Sequence, residues 1–225
     1  MSSRKSDFSE SDKVKALLWC NRHCCLCDKA AGVGIELAHL DPKLSDLDNA
    51  IPLCFDCHAA IGHYNKEHPR GRKYSNFELK ARREQVYELH TRHLVPPIEF
   101  HMDQQGRKLP DVGFNITNLG NTYPVRVRVL INVTQGNRFW GPPNSEHYNG
   151  NWLWNLNPGF GIKGHFTVPQ GMLLQGDPLR TRVDVTVIDI YEREHKLLPV
   201  GFVLKLGERP NWYFEPSEKA LDILG

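Results

Sequence analysis

The sequence predicts an α+β protein in two parts: a small cysteine-stapled domain over residues 1–95 and an all-β antiparallel sandwich over 96–225. Three observations predict it. All six cysteines lie between positions 20 and 57, so the last 168 residues contain none. Helical patterning stops at Leu94-Val-Pro-Pro97, because proline cannot continue a helix and holds the residue before it extended. Beyond that point apolar and polar residues alternate, which is the period of a half-buried strand.

Taken in order, residues 8–23 read as a helix, with Val14, Leu17, Leu18 and Asn21 at helical spacing and Ser9 or Ser11 as the cap. The short apolar runs 35–40 and 50–53 pair as a hairpin across the loop Asp41–Asn49, and a short helix follows from near Cys57 to about Asn65. Ser75-Asn-Phe-Glu78 is a capping-box pattern opening a helix that lasts to about His93. In the second part Val125, Val127, Val129, Ile131 and Val133 alternate, as do Val183, Val185 and Val187. Further strands are expected over 98–102, 112–117, 151–156, 164–168 and 198–205, separated by turn signals such as Asn118-Leu-Gly-Asn121, Gly141-Pro-Pro143 and Asn157-Pro-Gly159. About seven strands in such a length suggest a sandwich. The stretch Gly113-Phe-Asn-Ile-Thr-Asn-Leu-Gly-Asn121 through Val133 loosely resembles immunoglobulin-like modules.

Composition narrows the function classes. A net charge of +2 gives no global nucleic-acid signature, so charge has to be read locally. The N-terminus, Met1-Ser-Ser-Arg-Lys-Ser-Asp7, lacks the apolar core of a secretory signal, and no stretch approaches a membrane span. A cytoplasmic, soluble protein without membrane association is expected, and in that setting paired CxxC motifs indicate metal rather than disulfides.

Cys24-x2-Cys27 and Cys54-x2-Cys57 form two knuckles separated by 26 residues, enough for a hairpin between two grips on one tetrahedral zinc. Such a structural ion contributes on the order of 10 kcal/mol to folding a small domain. Cys20 and Cys25 are spare; Cys25 could replace Cys24, but only Cys24 has the two-residue spacing to Cys27.

Between and just after the knuckles stand His39 in Leu37-Ala-His-Leu-Asp-Pro42, Asn49 in Asp48-Asn-Ala-Ile-Pro-Leu-Cys54, and His58 in Cys57-His-Ala-Ala-Ile61. A zinc-stapled hairpin carrying His, Asn and His in that order resembles the HNH, or ββα-metal, endonucleases over residues 17–66. The resemblance implies a metal-dependent phosphodiester hydrolase acting on DNA, with RNA an open alternative. It also implies His39 as general base, Asn49 as a bridge across the loop or a contact to the metal, and His58 as ligand of a catalytic Mg, Mn or Ni. Products would carry 5′-phosphate and 3′-hydroxyl ends. The residue before the base is Ala38 where the family has a metal-ligating Asp or His, and Gly62 stands where some members have a second helix ligand. His63 and Asp41 are the nearby residues that could complete the ligand set. The alternative is a zinc-stabilised module that binds nucleic acid or protein without cutting it.

Residues 64–83 carry seven basic side chains against two acidic ones, a local net of +5. Lys66, Arg70, Arg72, Lys73, Arg82 and Arg83, with Lys80, are the candidate phosphate contacts. From Leu94 onward 13 basic side chains balance 13 acidic ones, so the β half is not expected to grip nucleic acid. His90 and His93 read as helix-end charges, His101, His147, His165 and His195 as structural or surface residues, and Arg126 and Arg128 as a solvated face. Trp140, Trp152 and Trp154 either plug the sandwich core or line a binding surface. The β half is expected to direct or restrain the nuclease through a small-molecule signal, a protein partner or another copy of the chain, similar to effectors of bacterial anti-phage defence and restriction systems.

Overall fold

The computed structural model describes residues 7–62, 74–103, 111–136, 138–140, 150–167, 178–206 and 212–221. The chain forms two compact units, Met1–His93 with Tyr191–Arg193, and Leu94–Ile190 with Glu194–Gly225. The α-helices described lie in the first and most strands in the second, and every pairing among the described strands is antiparallel. None of the helices described is long and apolar enough to cross a membrane.

The first unit opens with α1 (Glu10–Trp19), capped by Ser9, whose hydroxyl accepts the Asp12 N–H at 3.1 Å. The helix is shorter than the span 8–23 expected from sequence. Asn21 and Arg22 take φ values of 46° and 54°, which turn the chain out of the helix toward the first knuckle. Its expected apolar face is also corrected: Ala16 is the buried residue, while Val14 and Leu18 remain 54% and 39% exposed.

Strands β1 (Ile35–His39) and β2 (Ala50–Cys54) form the hairpin, in register from Ile35 opposite Cys54 to His39 opposite Ala50. All five residues of β2 are buried. Pro52 is tolerated because the pair has only two strands, and its carbonyl accepts the Cys25 N–H at 2.9 Å, tying the first knuckle to the hairpin. Helix α2 (Phe55–Gly62) begins directly after β2, two residues before the expected start. Helix α3 (Asn76–Thr91) is capped by Ser75, which accepts the Glu78 N–H at 3.1 Å. It buries Leu79, Arg83, Val86, Tyr87 and Thr91, one face at helical spacing. The core joins Leu79, Val86 and Tyr87 to Ile35, Ala38, Leu40, Ile51 and Leu53, with Cys20, Cys24, Cys25 and Cys54 among them.

The second unit contains two sheets around one core. Strands β3 (Ile98–Asp103), β4 (Asp111–Asn118) and β8 (Gly161–Thr167) form the smaller, in that order. The larger is centred on β5 (Val125–Gln135) and β9 (Leu179–Ile188). On the outer edge of β5 lie β6 (Arg138–Trp140) and β7 (Leu153–Leu156). On that of β9 lie β10 (Glu194–Lys196) and β11 (Val200–Leu206), with β12 (Trp212–Pro216) beyond β11. The β5–β9 ladder runs from Arg126 opposite Ile188 to Gln135 opposite Leu179. Period-two patterning turns Val125, Val127, Val129, Ile131 and Val133 inward, where they are at most 4% exposed; each aliphatic side chain so buried contributes about 1.5–3 kcal/mol. They meet Val112, Phe114, Ile116 and Phe166 of the smaller sheet in the same core. Gly164 permits this packing, since a Cβ there would strike the Phe114 ring.

Ten strands are described here rather than about seven; β6, β10 and β12 were not expected. The first two are only three residues long, too short to show a period. Trp154 packs against the core edge-on to Phe114 at 5.9 Å, whereas Trp152 is 40% exposed. His195 is buried and paired with buried Asp189 at 2.8 Å, and Arg128 meets Glu194 at 3.4 Å. Residues Gly141–Pro143 and His147 lie outside the described residues.

Candidate functional site

Two tight turns bring the four cysteines into a centre that could hold a metal ion. In the first, the Asp28 N–H returns to the Cys24 carbonyl at 2.8 Å and the Cys24 N–H to the Lys29 carbonyl at 2.9 Å, curling the backbone around the Cys24 and Cys27 sulfurs. The second is the passage from β2 into α2, which presents Cys54 and Cys57. The four sulfurs lie within 4.8 Å of one another, and Cys27 Sγ is 3.9 Å from Cys54 Sγ. A tetrahedral zinc with bonds of about 2.3 Å needs sulfurs about 3.8 Å apart, so the residues fit a metal such as zinc. Burial opposes the Cys24 thiolate, but backbone hydrogen bonds from Cys27, Cys54 and Leu26 bring the thiol down to about 7. Burial pushes Cys57 and Cys27 up, and for Cys57 the thiols of Cys54, Cys27 and Cys24 add to it. A dication among the sulfurs reverses that balance, so loading the site releases protons. Cys20 and Cys25 are buried beside this centre and outside the group of four, and the Cys20 thiol donates to the Leu17 carbonyl at 3.5 Å.

His39 ends β1. One face of its imidazole stacks on Phe8, with ring centroids 4.1 Å apart and planes inclined by 18°. Its Nε2 is enclosed and has no hydrogen-bond partner among the described residues. The ring borders a largely apolar cavity of about 280 Å³, which Leu40, Pro42, Ile61, Tyr74 and Asn76 also line. An enclosed nitrogen without a partner costs about 1–3 kcal/mol unless something binds it.

Asn49 is 3% exposed and closes the loop between the strands. Its Nδ2 donates to the Asp41 carbonyl at 2.8 Å and the Leu44 carbonyl at 2.6 Å, and its Oδ1 accepts the Asp41 N–H at 2.7 Å. Of the two roles open for this residue, the geometry shows the bridge. The Asp41 carboxylate accepts the Lys43 N–H at 2.9 Å in a turn of its own. His58, on α2, meets Glu36 of β1, with Nδ1 to Oε2 at 2.6 Å. Among the described residues the four cysteines are the one group of three or more side chains close enough to share an ion. Ala38 is 6% exposed and offers no ligand. His63 lies outside the described residues.

The basic cluster divides. Lys66, Arg70, Arg72 and Lys73 lie outside the described residues, and Arg82 is exposed. Arg83 is not a surface contact, because its side chain is 5% exposed. Nη1 donates to the Asp48 carbonyl at 2.6 Å and the Ala50 carbonyl at 3.0 Å, while Nη2 reaches the carboxylates of Asp48 at 3.1 Å and Glu84 at 2.8 Å. Its guanidinium also lies 5.7 Å from the Tyr87 ring centroid. Arg83 thus fastens α3 to the backbone on both sides of Asn49. Lys80 joins the same anchor through Asp48 at 2.6 Å. These two bonds hold the Asp48 carboxyl below its usual range, Lys80 most and Arg83 next.

Three residues at this site escaped the sequence reading. Alternation along β1 puts Glu36 on the face of Ala38, and that pattern could have found it. Phe8 and Asp48 carry no local signal of their contacts.

No family model matches the chain, and no curated protein matches it. Among solved structures, the chain is similar to the alkylpurine DNA glycosylase AlkC of Pseudomonas fluorescens, bound to DNA containing an abasic site analog. Identity is 14% over 66% of this chain, and the TM-score is 0.26. The match spans 42% of that protein's length, and a TM-score that low identifies neither a fold nor a chemistry.

Proposed function

We propose that this chain is a metal-dependent endonuclease of the HNH type, hydrolysing phosphodiester bonds of DNA. The observation that carries the reading is His39: an imidazole held at a strand end by Phe8, with an enclosed Nε2 that no described residue engages. The hairpin bearing it is stapled by the cysteine centre, and Asn49 closes the adjoining loop. An uncommitted imidazole nitrogen can act as general base toward a water molecule. His39 Nε2 takes the proton as the water oxygen bonds to phosphorus; the 3′ oxygen leaves with the electron pair of its bond to phosphorus and takes a proton from solvent, giving a 5′-phosphate and a 3′-hydroxyl. Asn49 keeps the loop after β1, and with it the direction of His39, from drifting. A divalent Mg, Mn or Ni ion held at His58 would neutralise charge on the scissile phosphate and the departing oxygen. Arg82 is the described basic residue left to meet the backbone.

The second unit, neutral in net charge, takes the role of directing or restraining cleavage in this reading, as in a bacterial defence or restriction effector. A second reading, a zinc-stabilised module that binds without cutting, is favoured by buried Ala38, which supplies no ligand beside His39.

The deciding experiment is plasmid nicking by the zinc-loaded protein with Mg, Mn or Ni. Nicking should stop in EDTA and fall about a hundredfold to ten-thousandfold in His39→Ala, with nucleic-acid affinity kept. A folded His39→Ala protein that cuts at the normal rate would remove His39 as base. Binding of DNA with no cutting under any of these metals would establish the second reading.

A further inference from the structure

We infer that Glu36 is the protein's second ligand, with His58, for a hydrated divalent cation. This rests on the nuclease reading for its purpose, though not for its geometry. Glu36 Oε2 and His58 Nδ1 lie 2.6 Å apart, on β1 and α2 respectively. The side chains are 52% and 40% exposed, so solvent and a phosphate can reach them. Among the described residues each is the other's sole side-chain partner, so no competing ion pair has to be broken.

The donor set suits the ion. One imidazole nitrogen, one carboxylate oxygen and water make an ordinary shell for Mn²⁺, and for Mg²⁺ a shell that keeps several waters. Neighbouring ligands of an octahedral ion at about 2.1 Å sit about 3 Å apart, so admitting one requires only a small opening of the pair. The cysteine centre does not compete, because thiolates select softer metals.

Glu36 also answers the vacancy of a ligand at Ala38. The two share one face of β1 and are separated by about 6.6 Å of strand. The longer glutamate side chain spans part of that offset and reaches His58, whereas a carboxylate placed two residues on could be shorter. The open coordination positions are left to water and phosphate oxygens.

The test is Mn²⁺ titration of the full, zinc-loaded chain, read by the loss of the free-ion electron paramagnetic resonance signal. One Mn²⁺ per chain should bind, with nitrogen coupling in its pulsed spectrum that disappears in His58→Ala. Glu36→Gln, nearly isosteric at a half-exposed position, should weaken binding at least tenfold. Glu36→Asp should fall between it and the wild type, and the double variant should be little worse than the weaker single. Zinc stoichiometry and circular dichroism confirm that each variant is folded. Mn²⁺ affinity within twofold of wild type in Glu36→Gln, or no saturable Mn²⁺ site in the wild type, overturns the assignment and leaves Glu36–His58 a plain ion pair. The two claims separate cleanly. Metal-dependent nicking that ignores Glu36→Gln keeps the nuclease and removes this ligand; the expected Mn²⁺ binding with no nicking keeps the site and removes the nuclease.

Discussion

Replacing Arg83 by alanine should destabilise the first unit by about 3–5 kcal/mol while leaving the salt dependence of DNA binding unchanged. The magnitude follows from its partners. The Asp48 and Ala50 carbonyls lose their guanidinium donor, and a buried acceptor left unpaired costs about 1–3 kcal/mol. The ion pairs contribute less, because the carboxylates of Asp48 and Glu84 are 72% and 51% exposed; together they add at most about 1 kcal/mol. Water entering the space left by the side chain would pull the total toward the lower figure. The assay is urea-induced zinc release, which reports on the first unit alone. With a denaturant slope of about 1.5 kcal/mol per molar urea, the midpoint should fall by about 2–3 M. Arg83→Lys should recover less than half, since a point charge cannot fork across two carbonyls. A midpoint shift under about 0.5 M, with weaker DNA binding and a salt slope lower by about one, would refute this reasoning and return Arg83 to the phosphate contacts.

Cys57→Ser should abolish stoichiometric zinc and unfold the first unit, measured by metal analysis and circular dichroism; a folded protein with full zinc would exclude Cys57 as ligand. Asn49→Asp should be worse than Asn49→Ala, because the new oxygen faces the Asp41 and Leu44 carbonyls where a donor stood. Chemical denaturation orders the two, and equal losses would mean that the amide bridge is not what holds the loop. A pH effect is expected at His90, whose folded pKa lies below 6.5 through burial first, then the charges of His23 and His93 against Asp28. A depressed value means that the unfolded chain binds the proton more readily. The contribution is therefore present above pH 6.5 and lost as pH falls through the folded value, and His90→Gln should flatten that limb of zinc release in urea. An unchanged limb would place the titration elsewhere.

The parts of this protein written in short spacings were legible in the sequence. Two CxxC pairs bring four sulfurs together because a two-residue turn sets the separation within each pair. Ser75 and Glu78 start α3 through one local hydrogen bond, and the valines of β5 and β9 turn inward because a pleated strand alternates its faces. The general character followed: an α+β chain with antiparallel sheets and a cysteine cluster suited to zinc.

What the sequence could not determine depended on contacts between distant segments. Arg83 looked like one more basic residue in a charged run until α3 laid it against the carbonyls of Asp48 and Ala50. The partner of His58 came from 22 residues back on β1, and the ring stacked on His39 from the residue before the Ser9 cap. Arg193 reaches Glu84 across 109 positions and lies over the Trp19 and Tyr87 rings, although nothing near it in the chain marks it. The strands β6, β10 and β12 likewise owe their existence to the edges of β5, β9 and β11, which supply hydrogen bonds that such short segments could not form alone. Local spacing sets what a segment can become, because turns, caps and strand alternation act over a few bonds. Which charged side chain is buried, and which histidine gains a carboxylate, is decided only when tertiary packing selects one pairing and removes it from water.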